Sequence, residues 1–188
     1  RLPSNMPRVR KENRMYLLID GGTTNTRVIR SDGKHFSLCA SAHVGAGNNA
    51  HLAAFVRETL AANGSEGDIV LASGMIGSKL GLCEIPHLPT PAGISELHDG
   101  IRKVVLPEIS PLAIHFIPGV KNRDGKLDLT TFESMDMMRG EEVETVAVIE
   151  SLPKGEPYIL VLPGSHTKFV SVDRSGKITG CLTTITGE

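Results

Sequence analysis

The 188-residue chain has no tryptophan, two tyrosines and five phenylalanines, so aromatics reach only 4%. That scarcity argues against base-stacking platforms and aromatic sugar clamps. Charge of one sign is missing too. Twenty Lys and Arg face 21 Asp and Glu, a net charge of -1, which leaves no electrostatic footprint for nucleic acid or for a membrane surface. No apolar run approaches the length of a membrane span. The three cysteines, Cys39, Cys83 and Cys181, lack CxxC spacing. They read as small buried hydrophobes in a reducing cytoplasm, a catalytic thiol being the weaker reading. His35, His43, His51, His87, His98 and His115 show no zinc-ligand spacing, so no structural metal is expected. Residues 1–14 are basic and polar without an apolar core, unlike a signal peptide. They are expected to be an extension with no role in the fold, with Met15 as the natural start.

What is present centres on Leu17-Leu18-Ile19-Asp20-Gly21-Gly22-Thr23-Thr24-Asn25-Thr26-Arg27-Val28-Ile29. An apolar strand ends in a carboxylate, turns through Gly and Thr, and continues as a second strand. Such a turn offers backbone N–H groups, hydroxyls and no bulk, as close approach to a phosphate requires. Asp20 stands where a water-bridged magnesium ion could join those phosphates. The alternative is a plain β-hairpin with Asp20 as a turn-capping residue.

The remaining pattern predicts strands over 36–40, 68–72 and 112–117. It predicts a helix with Leu52, Val56 and Leu60 at helical spacing, capped by Asn48 or Asn49 and stopped at Asn63-Gly64. A second helix is expected over 95–106, capped by Ser95 and ended by Pro107. Pro86, Pro89 and Pro91 exclude regular structure around them. The β-β-β-α-β-α-β order is that of a mixed sheet covered by helices, an α/β pattern. A polar loop over 121–128 precedes a long helix expected from Ser134 through Ile149. Strands over 158–162, 167–172 and 177–183 follow.

A shift of 142 positions lays the first hairpin on the second without a gap, Tyr16 on Tyr158, Gly22 on Gly164 and Val28 on Val170. The alternative is coincidence between two hairpins. A true repeat would present two Gly-turn hairpins to one cleft, and only the first would bring a carboxylate, because Leu162 replaces Asp20. The second copy stops at Glu188 after its third strand, so the chain is expected to be a fragment.

Four segments together, in order and spacing, resemble the 2-dehydro-3-deoxygalactonokinase family of the sugar kinase, actin and heat-shock ATPase superfamily. They are Asp20-Gly21-Gly22-Thr23-Thr24-Asn25, Ala72-Ser73-Gly74-Met75-Ile76-Gly77-Ser78, Asp136-Met137-Met138-Arg139-Gly140-Glu141-Glu142 and Leu162-Pro163-Gly164-Ser165-His166-Thr167-Lys168. The closing Thr186-Gly187-Glu188 also fits. The phosphate turn is common to many kinases, whereas the second and third segments are specific. Gly21 and Phe169 depart from the family, which usually has a large residue, often Trp, at the first and Trp at the second.

The resemblance implies a ribonuclease H-like, actin-type first lobe over 15–128, and an interlobe helix with the start of an incomplete second lobe over 129–188. It implies a cytoplasmic kinase using ATP and Mg²⁺, with a sugar acid as substrate and no nucleic-acid or membrane partner; a homo-oligomer stays open. The transfer implied is that of the ATP γ-phosphoryl to the 6-hydroxyl of 2-dehydro-3-deoxy-D-galactonate. Gly22, Thr23, Thr24 and Asn25 would cradle phosphates, with Asp20 holding magnesium. Gly164, Ser165, His166, Thr167 and Lys168 would form the second phosphate hairpin. Asp136 would be the general base, the alternative being that it only stabilises a helix end. Ser73, Gly74, Met75, Ile76, Gly77 and Ser78 would contact the sugar acid. Arg139 would pair with its carboxylate, the alternative being an ion pair with Glu142 or Glu133. Pro86 to Pro91 would wall the pocket, and Glu141 and Glu142 read as polar-face residues. An inactive remnant, a sugar-acid binding module or another sugar kinase of the superfamily are the competing functions.

Overall fold

A computed structural model describes residues 15–122, 134–164 and 166–185. The expected extension over 1–14, Glu133, Ser165 and Thr186-Gly187-Glu188 lie outside the described residues. Strands β1 (Tyr16–Gly21), β2 (Thr26–Ser31) and β3 (Phe36–Ala42) pair antiparallel in succession. The chain then returns through α1 (Asn49–Asn63) to β4 (Ile69–Gly74), which lies parallel to β1. β5 (Leu88–Pro89) and α2 (Ile94–Gly100) precede β6 (Arg102–Val104) and β7 (Ile114–Phe116). The six-stranded sheet runs β3-β2-β1-β4-β7-β6, with β7 parallel to β4 and β6 antiparallel to β7.

Alternation in β1 and β2 turns Leu17, Ile19 and Val28 inward, where Val70, Ala72, Ile114 and Phe116 join them. Helix α1 closes this layer with Leu52, Val56 and Leu60 at the predicted spacing. Each large aliphatic buried there is worth about 1.5–3 kcal/mol of transfer free energy. Asn48 is the N-cap of α1 but makes no side-chain cap bond. Asn49 instead donates to Leu80 O at 3.0 Å and to Gly81 O, tying the helix start to the turn after β4.

A small sheet joins β5 in parallel to β8 (Val120–Lys121), and β8 antiparallel to β9 (Met137–Met138). After α3 (Glu141–Ser151), strands β10 (Tyr158–Leu162), β11 (Thr167–Val172) and β12 (Ile178–Thr184) form an antiparallel meander. A second apolar cluster packs Val170, Val172 and Ile178 against Val120, Met138 and Ile149. Among the described residues no helix is long and apolar enough to cross a membrane. All three cysteines are free thiols. Cys181 is buried, and burial pushes its pKa up to about 11; Cys39 and Cys83 are half-buried.

Three sequence expectations need correction. The helix predicted over 95–106 ends at Gly100, and 102–104 form an edge strand. Gly100 is packed so tightly that a Cβ there would lie 2.9 Å from Pro118 Cγ and 3.0 Å from Leu88 Cδ1. Its N-cap is Gly93, whose N–H is accepted by Glu96 at 2.9 Å, and Ser95 lies inside the helix. The helix predicted from Ser134 begins only at Glu141, because Gly140 has φ +115 and residues 137–138 pair with β8. Asp136 therefore does not sit in a first helical turn. The proline-rich stretch contains one short strand, β5, between Pro86 and Pro91.

The two hairpins exist, but not in gapless register. Asp20 pairs with Arg27 and Gly21 with Thr26, whereas Leu162 pairs with Lys168. The second connection is one residue shorter. In β1, Leu17 and Ile19 are buried while their 142-shifted partners Ile159 and Val161 are exposed. The faces agree only in the second strands, where Val28 and Val170 are both buried. Strand periodicity makes a one-residue offset exchange every side chain between the faces, so the shift fails in the first strand.

Candidate active site

The ends of β1 and β4 lie side by side, with Asp20 opposite Ser73 and Gly21 opposite Gly74. The two Gly-rich turns thus leave the sheet at the same edge, where open α/β sheets bind ligands. Gly21 packs on the second turn. A Cβ there would lie 2.5 Å from Ile76 Cβ, leaving no room for a larger residue. The first turn is closed by Gly22 N–H donating to Asn25 O at 2.8 Å. It rests on Gly45, where a Cβ would lie 2.3 Å from Thr23 C and O. Thr23, Thr24 and Asn25 are exposed.

A cavity of about 830 Å³ opens beside these turns. Gly22 and Thr23 line it from the first hairpin, and Gly164 and His166 from the second. Met75 and Ser78 contribute from the turn after β4, and Asp136 and Arg139 from the segment around β9. Lys168 reaches it from β11. Asp20, Thr24, Asn25, Ser73, Gly74, Ile76, Gly77 and Thr167 are not among the lining residues. Ile76 and Gly77 are buried beneath it, while Asn25 braces the first turn through His43 at 2.9 Å. Ser165 lies outside the described residues. Pro86 lines the cavity, whereas Pro89 and Pro91 do not.

Asp136 is held by its own chain. Its Oδ1 accepts from Met137 N at 2.7 Å, Thr183 Oγ1 at 2.8 Å and Lys168 Nζ at 3.5 Å, and its Oδ2 accepts from Thr183 N. Lys168 is buried, and its ammonium also donates to Met137 O at 2.6 Å and to Thr183 Oγ1. An ammonium has three donors, so all those of Lys168 are committed around Asp136. Oδ2 keeps a lone pair beyond its bond to Thr183.

Arg139 makes no ion pair with Glu142. Its Nη2 donates to Ile85 O at 2.7 Å and lies 3.2 Å from His87 Nδ1, while Nη1 is buried without an acceptor among the described residues. Burial, then the charges of Arg139 and Lys121, pushes the His87 pKa down to about 4. Glu142 is not a polar-face residue but fully buried, both carboxylate oxygens accepting Gly140 N–H at 2.9 and 2.8 Å. Burial pushes its pKa up to about 8. Glu141 lines the cavity and accepts Arg139 N–H at 3.0 Å.

The sequence reading missed His87, Glu84 and Thr183 as lining residues. His87 carried a partial signal, since the proline stretch around it was expected to wall the pocket. Thr183 carried none, because only strand pairing brings it to Asp136.

As for a metal, the described residues contain no group of three or more His, Cys, Asp or Glu side chains able to enclose one. Magnesium commonly takes one or two carboxylates with waters and phosphates, and Asp20 fits that sparse role. It is exposed and tethered by Arg27 Nη1 on Oδ2 at 3.2 Å. Its charge, after burial and Glu141, helps raise the pKa of Glu144. Asp20, Glu141 and Glu144 thus gather negative charge near the end of β1, with Arg27 paired to Asp20.

Comparison with known proteins identifies the family. A family model described as 2-keto-3-deoxy-galactonokinase matches residues 20–188. The 2-dehydro-3-deoxygalactonokinase of Escherichia coli (strain K12) is 30% identical over 175 residues, covering 92% of this chain and 54% of the relative. A probable 2-dehydro-3-deoxygalactonokinase of Rhizobium meliloti (strain 1021) is 29% identical over 119 residues, covering 63% of this chain and 35% of the relative. A crystal structure of a candidate 2-dehydro-3-deoxygalactonokinase from Sinorhizobium meliloti shares the fold. Its TM-score is 0.72 at 24% identity, over 92% of this chain and 55% of that one. The chain thus spans about half the length of the Escherichia coli relative. By the family match along most of its length, the chain belongs to the 2-keto-3-deoxy-galactonokinase family.

Proposed function

We propose that this chain carries the sugar-acid pocket and the phosphate end of the nucleotide site of an ATP-dependent 2-dehydro-3-deoxygalactonokinase. The observation that carries the reading is the shared cavity: both Gly-turn hairpins, Asp136 and Arg139 line it. The strand order β3-β2-β1-β4-β7 supports a ribonuclease H-like first lobe over 15–128. The separate β10–β12 meander supports a second lobe that begins within 129–188.

In this reading Gly22, Thr23, Thr24 and Asn25 meet the phosphates from one side, and Gly164, Ser165, His166 and Thr167 from the other. Asp20 would hold Mg²⁺, which would supply charge neutralisation at the phosphates. Met75 and Ser78, from the Ser73 to Ser78 turn, meet the sugar acid, and Arg139 meets the substrate carboxylate. Asp136 Oδ2 takes the proton of the 6-hydroxyl as its oxygen bonds to the γ-phosphorus, and the bond from γ-phosphorus to the bridging oxygen breaks, releasing ADP. Lys168 and Thr183 position Asp136 rather than touch phosphate.

Asp136→Asn tests the assignment. In a coupled assay with ATP, Mg²⁺ and 2-dehydro-3-deoxy-D-galactonate, turnover falls about 100-fold or more, the scale of a lost general base. Stability also falls, by roughly 1–3 kcal/mol, because buried Lys168 loses its counter-charge. Turnover that persists in a folded variant excludes Asp136 as base.

A sugar-acid-binding module is the second reading, favoured by Arg139, which lines the cavity and has a buried Nη1 without an acceptor among the described residues. Calorimetric binding of the sugar acid without ATP turnover by this chain selects it.

A further inference from the structure

The small β5-β8-β9 sheet has a register that bears on the cavity. Leu88 pairs with Val120 and Val120 with Met138. One residue beyond, the same row holds His87, Gly119 and Arg139, and Leu88 N–H donates to Gly119 O at 2.8 Å. Three stretches distant in sequence thus meet at one sheet end. The row closes only because its middle residue is glycine: a Cβ at Gly119 would lie 2.6 Å from His87 Cδ2 and 2.5 Å from Met138 O.

A guanidinium has donors and no acceptor, so His87 Nδ1 is the acceptor of the 3.2 Å bond from Arg139 Nη2. The ring is then neutral, with its proton on Nε2. Nη2 gives its other proton to Ile85 O at 2.7 Å. Two acceptors on one nitrogen set both the position and the plane of the fork. Nη1 is left over Gly77, where a Cβ would lie 3.3 Å away. Among the described residues it has no acceptor, and Arg139 lines the cavity.

We propose that His87 is a positioning residue that fixes the Arg139 guanidinium so that Nη1 is the group left to donate to the sugar-acid carboxylate. This rests on the reading, given above, that Arg139 meets that carboxylate. His87 acts through Arg139 and touches no reacting atom. It remains an acceptor throughout the neutral range, because burial and the neighbouring cations Arg139 and Lys121 oppose its protonation.

The test is calorimetric titration of this chain with 2-dehydro-3-deoxy-D-galactonate and, separately, with its methyl ester, which lacks the charge. The native chain prefers the acid by about tenfold or more, the discrimination a charge-assisted hydrogen bond supplies. His87→Phe fills the ring's space without an acceptor. It loses about tenfold in affinity for the acid, and its ester affinity stays within about twofold. His87→Gln, whose amide oxygen accepts, returns the acid affinity to within about threefold of the native value. Thermal melting of each variant confirms folding; His87→Leu, with the same expected loss, stands in if the Phe variant does not fold. An acceptor-free variant that keeps the native preference overturns the role of His87, as does a Gln variant as weak as Phe. A native chain that binds the acid no better than the ester overturns instead the role of Arg139 on which the proposal rests.

Discussion

Glu142 shows at the scale of one residue how burial changes chemistry. Its carboxyl is fully buried against Gly140 N–H, and its pKa is pushed up to about 8 from an ordinary 4.5. The cause is loss of water. Arg139 and the Gly140 bonds pull the pKa the other way without restoring it, and Glu141 adds to the rise. A raised pKa on an acid means that the folded chain holds a proton the unfolded chain releases. The stability from this group is therefore complete below about pH 4.5 and is lost as pH rises through 8. Urea unfolding at pH 5 and pH 8.5 measures it. Glu142→Gln, neutral at both, is expected to flatten the difference by about 1–3 kcal/mol, given the general scale of linkage. Curves that overlay the native ones at both pH values reject the account. The motif Met-Arg-Gly-Glu-Glu made Glu142 visible in the sequence. Its burial was not visible, because a helix start with consecutive glutamates reads as solvated until a neighbouring layer covers one of them.

At the scale of the element, the first turn is stable because another backbone lies against it. Gly45 sits under Thr23, and Ala46 N–H donates to Gly22 O at 3.1 Å. Gly45→Ala forces a methyl to 2.3 Å from Thr23, and backbone cannot yield as a flexible side chain does. The variant is expected to lose about 1–3 kcal/mol, the usual cost of overpacking. Faster amide exchange at 22–25 than elsewhere in the sheet localises the damage, and unchanged exchange there refutes it. The hairpins, α1 and the Gly turns were legible in the sequence, because apolar periodicity and turn chemistry are local. The two-residue strands β5, β8 and β9 were not. Their hydrogen bonds join residues far apart in sequence, Leu88 with Val120 and Val120 with Met138, and no local pattern encodes such a pairing. Gly140 and Gly100 were the missed punctuation. Each breaks a helical pattern for a reason in the neighbouring layer: close approach to Gly74 for the first, and to Pro118 and Leu88 for the second.

Over the described residues the apolar side chains gather in two clusters, and one sheet face is unevenly covered. Val161, Phe169 and Leu182 form a row across β10, β11 and β12, flanked by Ile159, and all four are exposed. A contiguous apolar strip on a sheet promotes association. Ile159→Lys with Leu182→Glu is expected to lower concentration-dependent association in light scattering while leaving the melting temperature nearly unchanged. Association that persists in the double variant places the contact elsewhere. The sequence by itself determined the α/β class, the two Gly-turn hairpins and the family, because these depend on neighbours in the chain: strand alternation, turn residues and motif spacing. The tertiary structure alone decided that Lys168 is bound up with Asp136, that Asp136 precedes rather than begins a helix, and that His87 meets Arg139. Those facts depend on desolvation and on strand register between distant segments, and both exist only once the layers have packed.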